Sequence, residues 1–393
     1  LDLGIHVGDV VTVHARVDAP ANLVAGSTPE GFPRTAWTPM AWAGTGQQAP
    51  SAGTNAFTDS VRLKRAWGEV LTPVGVFVLG RMGLPSWGLG IVAAGSDGLD
   101  HDFDDDVDRV GFATSFREHF VGVTFDLDAV GPTSASGWGG ETRGRAIDLE
   151  LKDNVYTVSA ALGRQHSDES LDRRKLWGRT TFDYGLYVTY RWQQAEFPAF
   201  YLQGLDGEDQ DWTTDDAVER GVRALAFDLW LKVQTRRVRA ELELVYLRGR
   251  VGNASMDAGV DLPPISSSQF GGALQVEIEA VPSKVDVQVE LGLASGDPAP
   301  GLGVAPPLDQ VSSQPGDLDG PQFHLHDDLS IDNLRFHPNH HVDVVFFRQI
   351  VGTVTDAVYV RAELKLHPSK TFSLGLAGVP SMALQASSTP SGH

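Results

Sequence analysis

Hydrophobic side chains recur at every second position along most of this chain. The stretch TTFDYGLYVTYRW, residues 180–192, has one apolar and aromatic face and one mostly polar face. The apolar face carries Phe182, Tyr184, Leu186, Val188, Tyr190 and Trp192. The same alternation returns in the stretches 121–127, 156–162, 223–233, 238–246, 285–293 and 358–366. A period of two is that of a β-strand, and the helical period of 3.6 is nearly absent, so the chain is predicted to be all-β with about 17 strand candidates.

The connections between these predicted strands alternate between short and long. The short ones are 71–73, 152–154, 235–237, 281–284, 337–340 and 367–370. The long ones, rich in Gly, Pro, Ser and Asp, are 19–55, 83–107, 131–145, 164–177, 203–217, 249–268 and 295–328. An antiparallel meander with short turns at one end and long loops at the other is typical of an outer-membrane β-barrel. A β-sandwich mixes connection lengths at both ends, and a β-solenoid has a fixed repeat, and we find neither pattern.

We therefore predict a single domain over residues 1–393, a transmembrane antiparallel up-and-down β-barrel of about 18 strands (range about 16–18). Its short turns are expected in the periplasm and its long loops outside the cell. In such a barrel the apolar face of each strand meets lipid and the polar face lines the lumen. An odd number of strands cannot close an antiparallel barrel, so either a C-terminal closing strand is missing or one strand has been split or merged.

Composition narrows the set of partners. The formal net charge is −20, which argues against nucleic acid, because phosphate binding requires basic patches. The chain has no cysteine, which excludes disulfides and thiol chemistry. No apolar run of about 18 residues is present, which excludes transmembrane helices. The expected location is the bacterial outer membrane. The expected partners are outer-membrane lipid and lipopolysaccharide, small polar solutes, and a second copy or a surface partner bound through the loops.

Three stretches resemble outer-membrane porins of the alginate-export-like type, which are large single-chain β-barrels. They are RLKRAWGEVLTPVGVFVLGRMGLPSWGLGI (62–91), ELGLASGDP (290–298) and RFHPNHHVDVVFFRQIVGTVTDAVYVRAEL (335–364). The first contains an Arg-rich strand, a Thr-Pro-x-Gly turn, a Gly-Arg strand end and a Trp-Gly-x-Gly loop. The resemblance implies a barrel of about 18 strands and passive passage of a polar solute. It does not imply alginate, because that family's specificity depends on a strongly basic lumen and this lumen carries both signs of charge.

Charged residues on the polar faces of the predicted strands are expected to line the pore. The acidic ones are Glu241, Glu243, Glu277, Glu279, Asp286 and Glu290. The basic ones are Arg62, Lys64, Arg81, Arg348, Arg361 and Lys365. If these two groups lie on different walls, they set a transverse field that orients dipolar solutes. The alternative is that they solvate the interior or pair across adjacent strands.

The most acidic loop, GSDGLDHDFDDDVDR (95–109), suggests a metal site. Carboxylates of one parity are Asp100, Asp102, Asp104, Asp106 and Asp108. Several of them would converge on a hard cation such as Ca²⁺, and no other cofactor is expected. The alternative is a hydrated acidic loop, as is common for charge runs.

The predicted function is that of a porin-like channel for passive diffusion of small hydrophilic solutes through a charged lumen. The alternative is a plugged β-barrel that acts as a surface structural or adhesion scaffold through its extracellular loops. The loop 19–55, with Trp37 and Trp42, suits either role. No Gly-x-Ser-x-Gly motif is present and no nucleophile accompanies the histidines, so the protein is not expected to be an enzyme.

Overall fold

Antiparallel strands account for almost all of the regular structure in the computed structural model of this chain. The structure describes residues 2–18, 47–48, 62–95, 104–128, 151–196, 213–255, 258–297, 329–351 and 353–385. The strands are β1 (Asp2–Val7), β2 (Val11–Asp18), β3 (Gln47–Gln48), β4 (Arg62–Thr72), β5 (Gly75–Met82), β6 (Asp104–Asp105), β7 (Val107–Phe116), β8 (His119–Asp128), β9 (Val155–Arg164), β10 (Thr181–Glu196), β11 (Val218–Gln234), β12 (Val238–Val251), β13 (Ile265–Val281), β14 (Val285–Ala294), β15 (Ala357–Ser369), β16 (Phe372–Gly378) and β17 (Ser381–Ala383). β3 and β6 form a separate two-stranded ribbon, and the others form one sheet of 15 strands.

Neighbouring strands of the sheet follow one another in the chain. The order is β1-β2-β4-β5-β7-β8-β9-β10-β11-β12-β13-β14-β15-β16, and β17 pairs with β15. All of these pairings are antiparallel. The predicted antiparallel up-and-down fold is therefore confirmed. The described residues give fewer strands than the expected number of about 18, and within them β1 and β16 are not paired with each other.

The two faces of the sheet are reversed relative to those of a water-soluble protein. On β10, the rings of Phe182 and Tyr190 are exposed, whereas Asp183 and Arg191 on the opposite face are 1% and 2% exposed. The structure therefore confirms that the apolar face of residues 180–192 points outward. A sheet with an apolar outer face and a polar inner face is the arrangement of a membrane β-barrel.

Two predicted turns and one predicted loop are wrong. β8 pairs directly with β9, so residues 152–154 are not a turn between two strands of the sheet. Residues 337–340 lie within the long connection between β14 and β15 rather than at a strand end. The loop 164–177, expected to lie outside the cell, instead falls in the connection between β9 and β10, at the end of the sheet where the short turns lie. The predicted loop 131–145 falls outside the described residues.

Helix α1 (Asp168–Leu176) occupies this last connection. Its start is capped by Ser167, whose Oγ accepts a hydrogen bond from the backbone N of Ser170 at 3.3 Å. Acidic residues lie in its first turn and basic residues in its last turn, which complements the helix dipole. Shorter elements are a 3-10 turn at Thr214–Asp216 and a π-helical turn at Phe346–Val351. No helix in the described part of the chain is long and apolar enough to cross a membrane.

Two non-strand segments pack against the inner face of the sheet. We call residues 83–95 inner segment A and residues 329–351 inner segment B. One apolar cluster unites both segments with the strands: Ile91, Val92, Val245, Ala273, Ala294, Leu334, Phe336, Val342, Phe347, Val354, Ala357 and Tyr359. A second cluster lies beside it: Val222, Ala224, Ala226, Leu247, Val251, Ala254, Ile265 and Ile331. Because the strand members of these clusters alternate with the exposed side chains of the outer face, the apolar core of this protein lies on the inner side of the sheet.

Candidate functional site

Glu243 on β12 holds inner segment A against the wall of the lumen. Its side chain is fully buried, and its Oε1 accepts a hydrogen bond from the backbone N of Ile91 at 3.1 Å. Its Oε2 accepts a second hydrogen bond from the backbone N of Leu89. Gly88, at a φ of +54°, makes this approach feasible, because a Cβ there would lie 2.5 Å from Glu243 Oε2. Inner segment A is therefore positioned by a carboxyl group that the strand alternation directs into the lumen.

Trp87 anchors the same segment through an aromatic cluster. Its ring fills a hollow left by Gly185 on β10, where a Cβ would lie 2.6 Å from the ring. The ring centroid of Trp87 lies 5.7 Å from Tyr187, 6.1 Å from Phe120 and 6.3 Å from Trp230. Aromatic pairs at these distances contribute beyond their buried area. Segment A is thereby fixed to β8, β10 and β11.

His340 links inner segment B to both segment A and the wall. Its Nδ1 lies 3.0 Å from the carbonyl O of Leu89. Its Nε2 lies 3.5 Å from Oε1 of Glu290 on β14 and 3.4 Å from the hydroxyl of Tyr359 on β15. The Tyr359 hydroxyl donates to Glu290 Oε1 at 2.6 Å. The expectation that residues 337–340 form a short periplasmic turn is therefore wrong, because the chain around His340 folds against the inner face of the sheet.

Backbone contacts join the two inner segments directly. The N of His337 donates to the carbonyl O of Ile91 at 2.6 Å. Nδ2 of Asn339 donates to the carbonyl O of Gly95 at 3.1 Å. Together with the contacts of His340, these bonds join inner segments A and B, which lie far apart in sequence, and the joined segments narrow the lumen.

Glu243→Ala is expected to loosen inner segment A. The variant removes the acceptors of two backbone hydrogen bonds, a loss of roughly 1–3 kcal/mol. Hydrogen exchange at the amides of Leu89 and Ile91 should therefore become about tenfold faster or more. Glu279→Ala is the matched control, because Glu279 accepts a backbone hydrogen bond from Ser283 at 2.9 Å, at the turn between β13 and β14. If both variants left the exchange of Leu89 and Ile91 unchanged, Glu243 would not hold the segment.

The acidic residues expected to line the pore lie at inner-face positions. Glu241, Glu243 and Glu290 are buried, whereas Glu277, Glu279 and Asp286 are partly exposed. Their side chains contact protein groups: Glu241 accepts from Trp230 Nε1 at 2.8 Å and also from Arg239, and Asp286 lies 2.8 Å from Nε2 of His367. Whether any of them meets a solute stays a prediction.

Two of the basic residues expected to line the pore lie elsewhere. Arg81 lies on the outer face of β5 with Phe77 and Leu79, and it donates to Asp108 through two bonds of 2.9 Å. The prediction failed because the outward positions of β5 are the odd-numbered ones. Arg348 lies in the π-helical turn of inner segment B and not on a strand.

The remaining basic residues are placed as follows. Arg361 and Lys365 lie on the inner face of β15, where they were expected. Lys64 lies at a register shift between β2 and β4, and the side chain of Arg62 falls outside the described residues. Arg65 is the arginine that β4 directs inward. It is 6% exposed, and its Nε donates to Asp106 at 2.5 Å. The register shift adds one residue to β4, and this reverses the faces that the simple alternation predicts.

Acids and bases do not occupy separate walls. β14 pairs with β15, so Glu290 lies opposite Arg361 and Asp286 opposite Lys365. Glu363 on the inner face of β15 lies 3.6 Å from Nζ of Lys365. The predicted transverse field between two opposed walls is therefore wrong for these residues, and the alternative of pairing across adjacent strands describes them better.

The acidic loop gives no calcium site in the described residues. Asp108 is bonded to Arg81 and Asp106 to Arg65, on opposite faces of the sheet. Asp100 and Asp102 fall outside the described residues, as does the side chain of Asp104. No group of three or more His, Cys, Asp or Glu in the described part could hold a metal ion. A calcium site in this loop stays a prediction.

Sequence reasoning missed several buried ion pairs on the inner face. Arg109 donates to Asp126 at 2.6 Å and 2.8 Å, and Arg220 donates to Glu196 at 2.9 Å. These residues carry the same signal as the predicted ones, a charge at a position that alternates with apolar residues. The sequence gives no sign of the pairing itself, because it depends on strand register.

A polar cluster lies at the short-turn end of the sheet, around Glu118. Arg164 and Arg174 donate to its carboxylate at 3.1 Å each, and His166 Nε2 lies 3.3 Å away. The hydrogen bond from Arg164 lowers the pKa of Glu118. Nδ1 of His166 is also bonded to Asp183 on β10. The cluster therefore ties helix α1 to the end of the sheet.

No protein-family model and no curated protein matches this chain. Solved structures with a similar fold include OmpT of Vibrio cholerae, expressed in the outer membrane, with 8% identity over 98% of this chain and 78% of that chain and a TM-score of 0.39. Its loop L8 deletion mutant gives 8% identity, 97% and 84% coverage and a TM-score of 0.38. The open form of the ferric-catecholate import receptor Fiu from E. coli K12 gives 9% identity, 80% and 52% coverage and a TM-score of 0.32. These proteins are outer-membrane β-barrels, and likeness at this level carries no conclusion about activity. The more specific alginate-export-like type stays a prediction.

One expectation is corrected at this point. The sequence indicated that the protein is not an enzyme, because it contains no nucleophile motif. The absence of a motif does not exclude catalysis, and the matched structures of OmpT, at 8% identity, leave the activity of this chain open. The exclusion of catalysis is therefore withdrawn.

Proposed function

We propose that this protein is a diffusion channel for small hydrophilic solutes in a bacterial outer membrane, narrowed by inner segments A and B. The observation that supports it best is the contrast between two parts of the inner face. The part nearer the long loops is covered by the two segments and their apolar cluster. Nearer the short turns, inner side chains stay exposed: His14 and Glu69 on β2 and β4 keep 29% and 39%, and Glu277 and Lys365 on β13 and β15 keep 38% and 39%. A polar passage at that end fits the water-filled lumen of a porin.

The lining of this passage carries both signs of charge. His14 stacks on Trp67 with ring centroids 4.6 Å apart, and its Nε2 lies 3.5 Å from Glu69. Arg16 donates to Asp2 on the neighbouring strand at 2.6 Å. Paired charges of opposite sign favour small polar solutes without a strong preference for anions or cations. The local resemblance to alginate-export-like porins supports passive transport, and the mixed lining argues against alginate as the solute.

The surroundings of the channel follow from the outer face. Its apolar side chains fit outer-membrane lipid and lipopolysaccharide as the surrounding medium. We also propose that a second copy of the chain, or a surface partner, binds through the loops. Calcium bound by the loop 95–109 would contribute to contact with lipopolysaccharide.

The second candidate function is a plugged barrel that serves as a surface scaffold. The two apolar clusters inside the barrel favour it, because well-packed apolar side chains exclude water. In that case the loops carry the function and the lumen conducts no ions.

Single-channel recording of the full chain in planar bilayers distinguishes the two. We expect stepwise ohmic currents. Thr12→Trp should reduce them, because Thr12 lies opposite Glu69 on the inner face. Val13→Trp is the matched control, since Val13 is an exposed outer-face neighbour and its replacement should leave the conductance unchanged. Bilayers that stay silent with correctly folded protein would favour the plugged scaffold.

A further inference from the structure

Both ring nitrogens of His340 face hydrogen-bond acceptors. Nδ1 faces the carbonyl O of Leu89 at 3.0 Å, and a peptide carbonyl can only accept. Nε2 faces Glu290 at 3.5 Å and the Tyr359 hydroxyl oxygen at 3.4 Å. The proton of that hydroxyl is already donated to Glu290. A neutral imidazole has one N–H and satisfies one side, whereas an imidazolium has two and satisfies both.

The charged surroundings of the ring favour the same protonation state. Glu290 on β14 accepts from Tyr359 and from Gln275, whose Nε2 lies 3.0 Å from Oε2. Glu243 on β12 is a second carboxyl group near the ring, with Asp228 of β11 beside it, and Tyr359 on β15 is a further titratable neighbour. Within inner segment B, the N of His340 donates to the carbonyl O of His337 at 2.8 Å. The ring thus lies among side chains of β12, β14 and β15 and the Leu89 carbonyl oxygen of segment A.

We propose that protonated His340 is a latch that holds inner segment B across the lumen and releases it as the pH rises. The latch joins three parts of the molecule at one ring: segment B, the Leu89 carbonyl of segment A and the Glu290–Tyr359 pair on the wall. Loss of one proton removes a donor from one of these contacts and removes the charge that attracts Glu290. The inference rests on the proposed function in that segment B narrows the proposed channel.

The direction of the pH effect follows from the surroundings of the ring. Burial by itself lowers the pKa of His340, but the hydrogen bond to Glu290, its negative charge and the Leu89 carbonyl outweigh burial and raise the pKa above its ordinary value of 6.5. A group whose pKa is raised in the closed state stabilises that state fully at low pH. Segment B therefore begins to be released when the pH rises above the ordinary pKa of histidine, and the release levels off once the pH exceeds the raised pKa of His340.

Release of segment B uncovers a defined part of the wall. Leu334 of segment B packs on Gly271 of β13, where a Cβ would lie 2.5 Å from Leu334 Cδ2. Ala273, two residues along on the same face, is 2% exposed and lies in the apolar cluster with Leu334 and Phe336. A probe at Ala273 therefore reports whether segment B is in place, independently of any current.

The absence of native cysteine makes thiol labelling a clean test. Ala273→Cys in the full chain, folded in detergent micelles, is labelled with a small methanethiosulfonate reagent between about pH 6 and about pH 9, which spans the titration of histidine. Thr371→Cys, at the exposed turn between β15 and β16, gives the intrinsic pH dependence of thiol reactivity for normalisation. We expect the normalised rate at position 273 to rise by up to about tenfold per pH unit above about 6.5 and then to level off.

Two further variants assign the rise to His340. His340→Gln in the Ala273→Cys background should give fast labelling at every pH. His367→Gln should keep the rise, because His367 lies on β15 against Asp286 and not against segment B. A flat normalised profile with His340 intact would overturn the latch, as would a rise that persists in His340→Gln. Labelling that rises as expected in a protein that never conducts would support the latch and count against the channel, so the two proposals fail separately.

Discussion

Leu229→Arg is expected to destabilise folding into a bilayer by about 2–4 kcal/mol, the usual effect of arginine on the lipid face at the bilayer midplane. Leu229 lies on the outer face of β11 and is 39% exposed. Its register partners on the flanking strands are Leu186 and Leu244, so it lies in the middle of an apolar band. An arginine there must either lose its water of hydration or draw water and lipid head groups into the apolar band.

Urea-dependent folding of the full chain into phospholipid vesicles measures this effect. Leu63→Arg is the matched control: Leu63 is also an exposed outer-face leucine, but it lies at the end of β4. The effect of arginine falls to roughly 0–1 kcal/mol near the interface. Equal losses at both positions, or no loss at position 229, would show that the outer face is not in lipid.

The fold could be predicted from sequence because most strands obey one simple rule. Over residues 181–193 of β10, the outward set that includes Phe182 and Tyr190 and the inward set that includes Asp183 and Arg191 alternate without a break. Such alternation fixes strand existence, the direction of each face and, through the turns, the order of the strands. The alternation no longer predicts the faces where a strand contains a single extra residue, as β4 does near Lys64.

The narrowing of the lumen could not be predicted in the same way. The contacts of Leu89 and Ile91 with Glu243 use backbone N–H groups, which every residue except proline possesses. The place of Trp87 depends on the absence of a side chain at Gly185, on a strand that lies far along the chain. Residues 337–340 resemble a turn between strands, and only their packing against inner segment A shows otherwise. Periodicity describes regular strands, whereas these segments are held by single contacts between distant residues.

The sequence predicted that most of the charged residues lie on the inner face, but not which of them lie next to one another. The sequence directs Glu290 and Arg361 into the lumen, but their adjacency follows from the pairing of β14 with β15. Once paired, the two charges largely cancel at a distance, and a predicted field becomes a set of local contacts. Removing one member of a buried ion pair leaves the other charge without its counter-ion, so the stability of the protein is sensitive to the loss of either residue.

Arg220→Ala is expected to be the most destabilising inner-face substitution, by about 3–5 kcal/mol. Arg220 is 0% exposed, and its Nε donates to Glu196 at 2.9 Å. Its Nη1 donates to the carbonyl O of Asn253 at 3.0 Å and also to that of Ser255. The variant thus removes the cation beside a buried carboxylate and the donor to two carbonyl groups of the connection between β12 and β13.

The double variant Arg220→Met with Glu196→Gln separates the charge from the packing. The double variant removes both charges and keeps a similar side-chain volume, so no buried charge is left without its counter-ion. It should therefore lose much less stability than the single variant. Arg223→Ala, at an exposed position three residues along β11, is the control for strand position and should be within about 0.5 kcal/mol of wild type. Urea-dependent folding into the same vesicles gives all three values. If the double variant lost as much as Arg220→Ala, the hydrogen bonds to the carbonyl groups would dominate over the ion pair, because the methionine cannot donate them.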